Sequence, residues 1–347
     1  MRRRLREAFT FFSVRFGKSS RWAEVVFVGL VIAALLTAAT GAMAAEAILV
    51  HDIAPPHPRY RHFYAMVAEV AGRTSGMLTI AMNPGGKVLY PGQASLDAVR
   101  SGKVPLTFVN SAFLQSVNPS LGFLNLPFTI NDETMMRPGV PEGVIKLVQT
   151  YLEPKGLQAL GMMRGADTIF VFKKHQIRRP EDLKGLKIRV AGPGVYQEIV
   201  RSFDAEPSVI PAIEMGSALE RGLIEGMITS PGGWGKNVLE APNGSLVPGL
   251  IFYTYFFIAD RAWLNGLPPE QREALIAAAR NHVTEKWRDM REDDSQLISA
   301  LVARGATFWS VPTDGLEPWQ KRVEAVTRKF ESTYPEVMQA YRKITQP

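Results

Sequence analysis

The chain has 347 residues, 46% apolar and 21% charged, enough to bury a sizeable core; this excludes a disordered chain and suggests two domains. Its formal charge of +7 is concentrated at one end, because residues 1–45 hold seven Lys and Arg against two Glu and leave only +2 on the remainder. A body so nearly balanced carries no electrostatic footprint for nucleic acid, and a chain without cysteine has no disulfide, thiolate metal site or lipid-anchoring thiol.

The first element in chain order is an export signal over residues 1–45. A basic stretch ends at Arg21, an apolar run follows from Val25 to Ala45, and Ala42-Met43-Ala44 supplies the small residues that a signal peptidase needs. This order predicts export and cleavage near Ala44–Ala45. The same run is long enough to stay in a bilayer as an uncleaved anchor, which is the competing reading.

Strands and helices then alternate. Ala47–Asp52 reads as a strand, and a Pro/His loop follows from Ala54 to Pro58. Arg59–Gly72 reads as a helix, with Phe63, Met66, Val67 and Val70 at helical spacing. Met77–Met82 is a strand, Gln93–Ser101 a helix stopped by Gly102, and Leu106–Val109 a third strand. The alternation predicts an α/β domain with a mainly parallel sheet.

The middle of the chain repeats the pattern. Gly156–Met163, Ile169–Lys173 and Leu186–Val190 read as strands, the last closed by the breaker Ala191-Gly192-Pro193-Gly194. Val195–Phe203 is a helix, Ser208–Pro211 a short strand, and Glu214–Arg221 a helix stopped by Gly222. Met227–Thr229 leads into a Pro/Gly loop over Ser230–Gly235. Pro268 and Pro269 open one very long helical pattern that reaches Arg304, with Gly305 as its stop.

In Leu186–Val190 a period of two places Leu186, Ile188 and Val190 on one face and Lys187 and Arg189 on the other. Arg189 sits just before the Gly/Pro loop, at the strand end where open α/β sheets present ligand contacts. A guanidinium there either pairs with a surface acid or holds a carboxylate by two parallel hydrogen bonds.

Several segments together resemble the substrate-binding proteins of TRAP (tripartite ATP-independent periplasmic) transporters, the DctP-like family. They are Gly92-Gln93 through Val99-Arg100-Ser101-Gly102, Asn125-Leu126-Pro127-Phe128, Pro180–Val190 (PEDLKGLKIRV), Ala218–Gly226 (ALERGLIEG) and the long helix after Pro268. The likeness covers nearly all of the chain after the signal, in order. It implies a two-lobed periplasmic-binding-protein-like α/β fold, with a ligand cleft between the lobes and a long helix spanning both. By analogy the first lobe comprises 46–166 plus 255–294, and the second 167–254 plus 295–347.

The resemblance also implies a function: a periplasmic protein that captures a small organic carboxylate and delivers it to TRAP membrane permease subunits, with no enzymatic activity, cofactor or metal. It makes Arg189 the carboxylate anchor and puts Thr229 where relatives carry a polar side chain opposite it. Trp234 is expected either to wall the cleft or simply to pack. First-lobe candidates are His57, Tyr90, Gln93, Asn110 and Ser111. One departure stands out: the second arginine of sialic-acid binders, some twenty residues before the anchor, falls here at Ile169. A second ligand carboxylate would need Arg164 or Lys187 to turn inward, so mono- and dicarboxylates both stay open.

Catalytic patterns are thin. There is no Gly-x-Ser-x-Gly elbow and no phosphate loop, and the five histidines are dispersed without a His-x-x-x-His pair. The alternatives are a membrane-anchored carboxylate-sensing ectodomain and a hydrolase or isomerase using the same cleft.

Overall fold

A computed structural model describes residues 45–53 and 57–346. The expected signal segment, up to residue 44, lies outside the described residues, as do Ala54–Pro56 of the Pro/His loop.

Two sheets organise the fold. The first holds β1 (Ala45–Val50), β2 (Leu78–Met82), β3 (Leu106–Asn110), β4 (Leu157–Asp167) and β10 (Phe252–Asp260), in the order β2-β1-β3-β10-β4. The second holds β5 (Ile169–Phe172), β6 (Lys187–Val190), β7 (Glu206–Val209), β8 (Gly226–Thr229), β9 (Asn243–Leu246) and β11 (Thr307–Ser310), in the order β11-β9-β5-β8-β6-β7.

Each sheet is mainly parallel, as the alternation predicts, with a single strand running against the rest: β10 in the first and β5 in the second. β1 pairs in parallel with β2 and β3, but β10 runs antiparallel to both β3 and β4. In the second sheet β6 is parallel to β7 and β8, while β5 opposes β8 and β9. The reason is a double crossing between the sheets. The chain passes from β4 into β5 through Thr168 and returns from β9 to β10 through 247–251, so the two crossing segments run in opposite directions side by side.

At the crossing, Thr168 donates from both its backbone amide (3.0 Å) and its hydroxyl (2.7 Å) to the Ile251 carbonyl. The Gly249 amide donates to the Asp167 carboxylate at 3.0 and 3.1 Å. A Cβ on Gly165 would stand 2.6 Å from the Tyr253 carbonyl oxygen, so only glycine lets these strands approach so closely.

Apolar packing fixes each lobe. Phe63, Phe108 and Phe257 stack in the first, with ring centroids 4.1 and 4.7 Å apart. Ile169, Val171, Met215, Met227, Trp234 and Leu301 form the core of the second.

The long helix is interrupted. It runs over Pro269–Ala279, takes a π turn at Arg280–Thr284 and resumes over Trp287–Ala303. The residue added by a π turn re-phases the stripe, keeping Val283, Trp287 and Met290 buried. Its last stretch packs on β4 of the first lobe and on β11 and the helix Pro231–Asn237 of the second, so it spans both.

The C-terminal segment was expected wholly in the second lobe. The helix Glu317–Thr333 does pack there, on Val195–Ser202, whereas the last helix, Pro335–Thr345, packs on Val140–Leu152 of the first. Gly143 makes room for it: a Cβ there would lie 2.6 Å from Ile344 Cγ2.

Candidate functional site

A cleft of about 370 Å³ lies between the lobes. The first lobe lines it with Asp52, Ile53 and His57 after β1, Asn110 at the end of β3, and Tyr253 and Tyr255 on β10. The second contributes Arg189 and Ala191 at the end of β6, residues from the Ala212–Ser217 turn, Thr229 and Ser230 at the end of β8, and Lys236 and Asn237. Parallel strands of an α/β sheet present ligand groups at their C-terminal ends, and β1, β3, β6 and β8 all do so here.

Arg189 is only 3% exposed. Its Nε donates to the Ile210 carbonyl (2.8 Å) and its Nη1 to that of Ile228 (3.0 Å), which lock the plane of the guanidinium. Among the described residues Nη2 has no hydrogen-bond acceptor, and no carboxylate lies within 4.0 Å of the group. Burial pulls its pKa below the ordinary value, and Tyr253, Tyr255 and Asp52 oppose the shift. An arginine nonetheless stays charged at neutral pH, so the cleft contains a buried cation that no carboxylate of the described residues contacts. Tyr253 supports it by donating its hydroxyl to the same Ile228 carbonyl at 3.1 Å, and burial pushes that phenol up to about 12.

His57 reaches across the cleft. Burial, aided by Arg59 and Lys236, holds its imidazole down at about 3, so the ring is neutral near pH 7. Its Nδ1 accepts the Arg59 amide (3.1 Å), which leaves the ring proton on Nε2 to be donated to Ser230 Oγ at 3.2 Å. Ser230 Oγ also accepts the Gly233 amide (3.1 Å) as N-cap of the helix Pro231–Asn237. With both acceptor sites used, its hydroxyl proton is the part left to face a ligand. The expected Pro/Gly loop at 230–235 is therefore a capped short helix, and its Gly233 amide is already spent on Ser230.

Asn110 is 4% exposed; its Oδ1 accepts the Ala112 amide at 2.9 Å, while Nδ2 has no partner among the described residues. Asp52 also faces the cleft, with no ion pair among the described residues. Burial raises its carboxyl pKa, against the lowering influence of Arg189 and Lys236. Lys236 is pulled down by burial and raised by Asp52.

Of the residues singled out from sequence, the structure brings Arg189, Thr229, His57 and Asn110 together around the cleft and places the others elsewhere. Trp234 is fully buried in the second-lobe core, donating from Nε1 to the Ala241 carbonyl at 2.8 Å, so it packs and does not wall the cleft. Ser111 turns inward, its hydroxyl donating to Asn125 Oδ1 at 2.7 Å. Gln93 donates along its own helix to Asp97 (3.3 Å), and Tyr90 packs against the main core. Arg164 is held by Asp132 and Asp294, and Lys187 is exposed; neither lines the cleft. Among the described residues no group of three or more His, Asp or Glu could hold a metal ion.

Sequence reasoning missed Asp52, Lys236, Asn237, Tyr253 and Tyr255, and reached Ser230 only as part of the Pro/Gly loop after Thr229. The signal for the tyrosines was present: they are two apart in Phe252–Asp260, the spacing of one strand face. That segment shows no break in apolarity that would mark it as a strand facing a cleft.

Known proteins share this fold. The chain is 24% identical over 222 residues to a solute-binding protein of Verminephrobacter eiseniae, spanning 61% of this chain and 64% of that one. It is 24% identical over 234 residues to the 2,3-diketo-L-gulonate-binding periplasmic protein YiaO of Escherichia coli, spanning 67% and 71%. The crystal structure of the sugar acid binding protein DctPAm from Advenella mimigardefordensis, in complex with galactonate, superposes with a TM-score of 0.79 at 20% identity, over 87% of this chain and 99% of that one. A family model matches residues 49–333, and the chain belongs to that family, DctP, the bacterial extracellular solute-binding proteins of family 7.

Proposed function

We propose that this protein is exported to the periplasm with cleavage near Ala44–Ala45, captures a small organic carboxylate in the interlobe cleft, and delivers it to a TRAP-type membrane permease. One observation carries the reading: Arg189, a buried guanidinium with no carboxylate of the described residues within 4.0 Å, faces a cleft between two lobes. A ligand carboxylate supplies the missing negative charge and an acceptor for Nη2. Relatives named for 2,3-diketo-L-gulonate and galactonate support a sugar-acid ligand, and the hydroxyl and amide groups of Ser230 and Asn110 suit its oxygens. Contacts to both lobes at once are what favour the closed form.

The geometry also speaks against hydrolysis. His57 and Ser230 stand at the distance of a base and a nucleophile. However, burial holds the imidazole down at about 3 and its Nε2 proton points at Ser230, which makes it a weak base for the serine proton near neutral pH.

Calorimetric titration with sugar acids and other small carboxylates tests the reading. Arg189→Ala should cost about 2–5 kcal/mol, a loss of roughly 30-fold to a few thousand-fold in affinity. A folded Arg189→Ala variant with undiminished affinity would overturn it.

A further inference from the structure

Arg189 and Asp52 bring opposite charges into the same cleft and do not pair, since no ion pair within 4.0 Å joins either to any described residue. Two unlike charges held apart call for something between them that satisfies both. The charged groups facing the cleft are Arg189, Lys236 and Asp52, while His57 is neutral. With Asp52 ionised the balance is one positive charge. A monocarboxylate brings it to zero, a dicarboxylate overshoots, and a zwitterion leaves the excess in place.

The hydrogen-bonding groups agree. Asn110 Nδ2 and the Ser230 hydroxyl have protons to give. An ionised Asp52 only accepts, so its ligand partner must be a donor. Asp52 lies on the first lobe and Arg189 on the second, so a ligand touching both also bridges the lobes.

We propose that Asp52 sets the charge and polarity of the ligand: it accepts a hydrogen bond from a hydroxyl of a monocarboxylate held by Arg189, and it repels a second carboxylate. The inference rests on Arg189 as the carboxylate anchor. Discrimination then comes from a repulsive element as much as from an attractive one. The filter agrees with the pairing of Arg164, which a second carboxylate would need to turn inward but which is tied to Asp132 and Asp294.

The test is calorimetric titration with D-galactonate, D-glucuronate and succinate, on the native chain and on Asp52→Asn, Asp52→Glu and Arg189→Lys, each checked for folding by thermal melting. The native chain should bind at least one hydroxylated monocarboxylate about tenfold or more tighter than succinate. Asp52→Asn should shrink that ratio by about tenfold, and Asp52→Glu, which retains the charge, should keep most of it. Arg189→Lys should weaken every probe. A native preference for succinate, or a ratio unchanged in Asp52→Asn, overturns the assignment of Asp52 while leaving the anchor standing. Absence of binding by the native chain to all three probes overturns the anchor reading and this inference together.

Discussion

His57 Nε2 stands 3.2 Å from Ser230 Oγ, so a single hydrogen bond joins the loop after β1 to the end of β8 across the cleft. Both ends are fixed independently, His57 by the Arg59 amide and Ser230 by its capping contact with Gly233. The bond therefore reports how far the lobes are closed. A neutral hydrogen bond contributes about 0.5–1.5 kcal/mol, so His57→Ala should weaken ligand affinity about two- to tenfold. Small-angle scattering should show a larger radius of gyration for the ligand-free variant than for the native chain.

A second lobe contact lies at Gly192, in the breaker after β6. A Cβ there would stand 2.5 Å from Ala112 Cβ, just past β3 in the first lobe. The position has no positive φ, so alanine brings no backbone strain and acts only as a wedge. Gly192→Ala should lower ligand affinity and expand the molecule in scattering, with little change in the unfolding midpoint. An unaltered affinity and radius would show that the lobes yield there.

Buried charge braces the first lobe. Asp294 Oδ2 accepts from Arg59 Nη2 at 2.7 Å and from Arg164 Nη1, and Arg164 also pairs with Asp132 at 2.6 Å. Arg59 donates further to the carbonyls of Arg164 and Gly165, at the root of the crossing strand. Asp294→Ala leaves two buried guanidinium groups short of one counter-ion. The expected cost is about 3–5 kcal/mol of folding stability, readable as a lower urea midpoint.

Asp167 supplies a pH dependence. Burial raises its carboxyl from 3.8 to about 7, against the pull of the Gly249 amide and Arg164. Between these values the folded chain holds a proton that the unfolded chain has released. The contribution of this group is thus complete below 3.8 and lost as pH rises through about 7. Asp167→Asn keeps an acceptor for Gly249 and cannot ionise. Its melting temperature relative to native should therefore be higher at pH 8 than at pH 5.

His51 and His57 work in the opposite direction, with burial lowering them to about 4 and about 3. Their contribution is present above the ordinary histidine value of 6.5 and is lost as pH falls towards those lowered values. Replacing His51 with Gln should flatten the fall in melting temperature between pH 6.5 and 4.

Much of the local structure was legible. The period of two in Leu186–Val190 and the breaker behind it put Arg189 at a strand end, where the structure also has it facing the cleft. Gly102, Gly222 and Gly305 do follow helices or their last turns, all with positive φ. Less was legible wherever a side chain had to choose between core and cleft. Trp234 and Ser111 follow strand ends just as Ser230 and Asn110 do, yet the first pair turns inward and the second lines the cleft. One-dimensional spacing does not distinguish them, because the choice depends on what the opposite lobe presents.

By itself the sequence determined the elements, their apolar faces, and the small set of polar residues at strand ends, since these follow from backbone periodicity and turn chemistry within a few residues. Only the tertiary structure decided that β10 inserts between β3 and β4, that the last helix returns to the first lobe, and that Asp52 and Arg189 share one cleft unpaired. Those outcomes depend on contacts between segments far apart in the chain, where packing and electrostatics across lobes, not local propensity, select the partner.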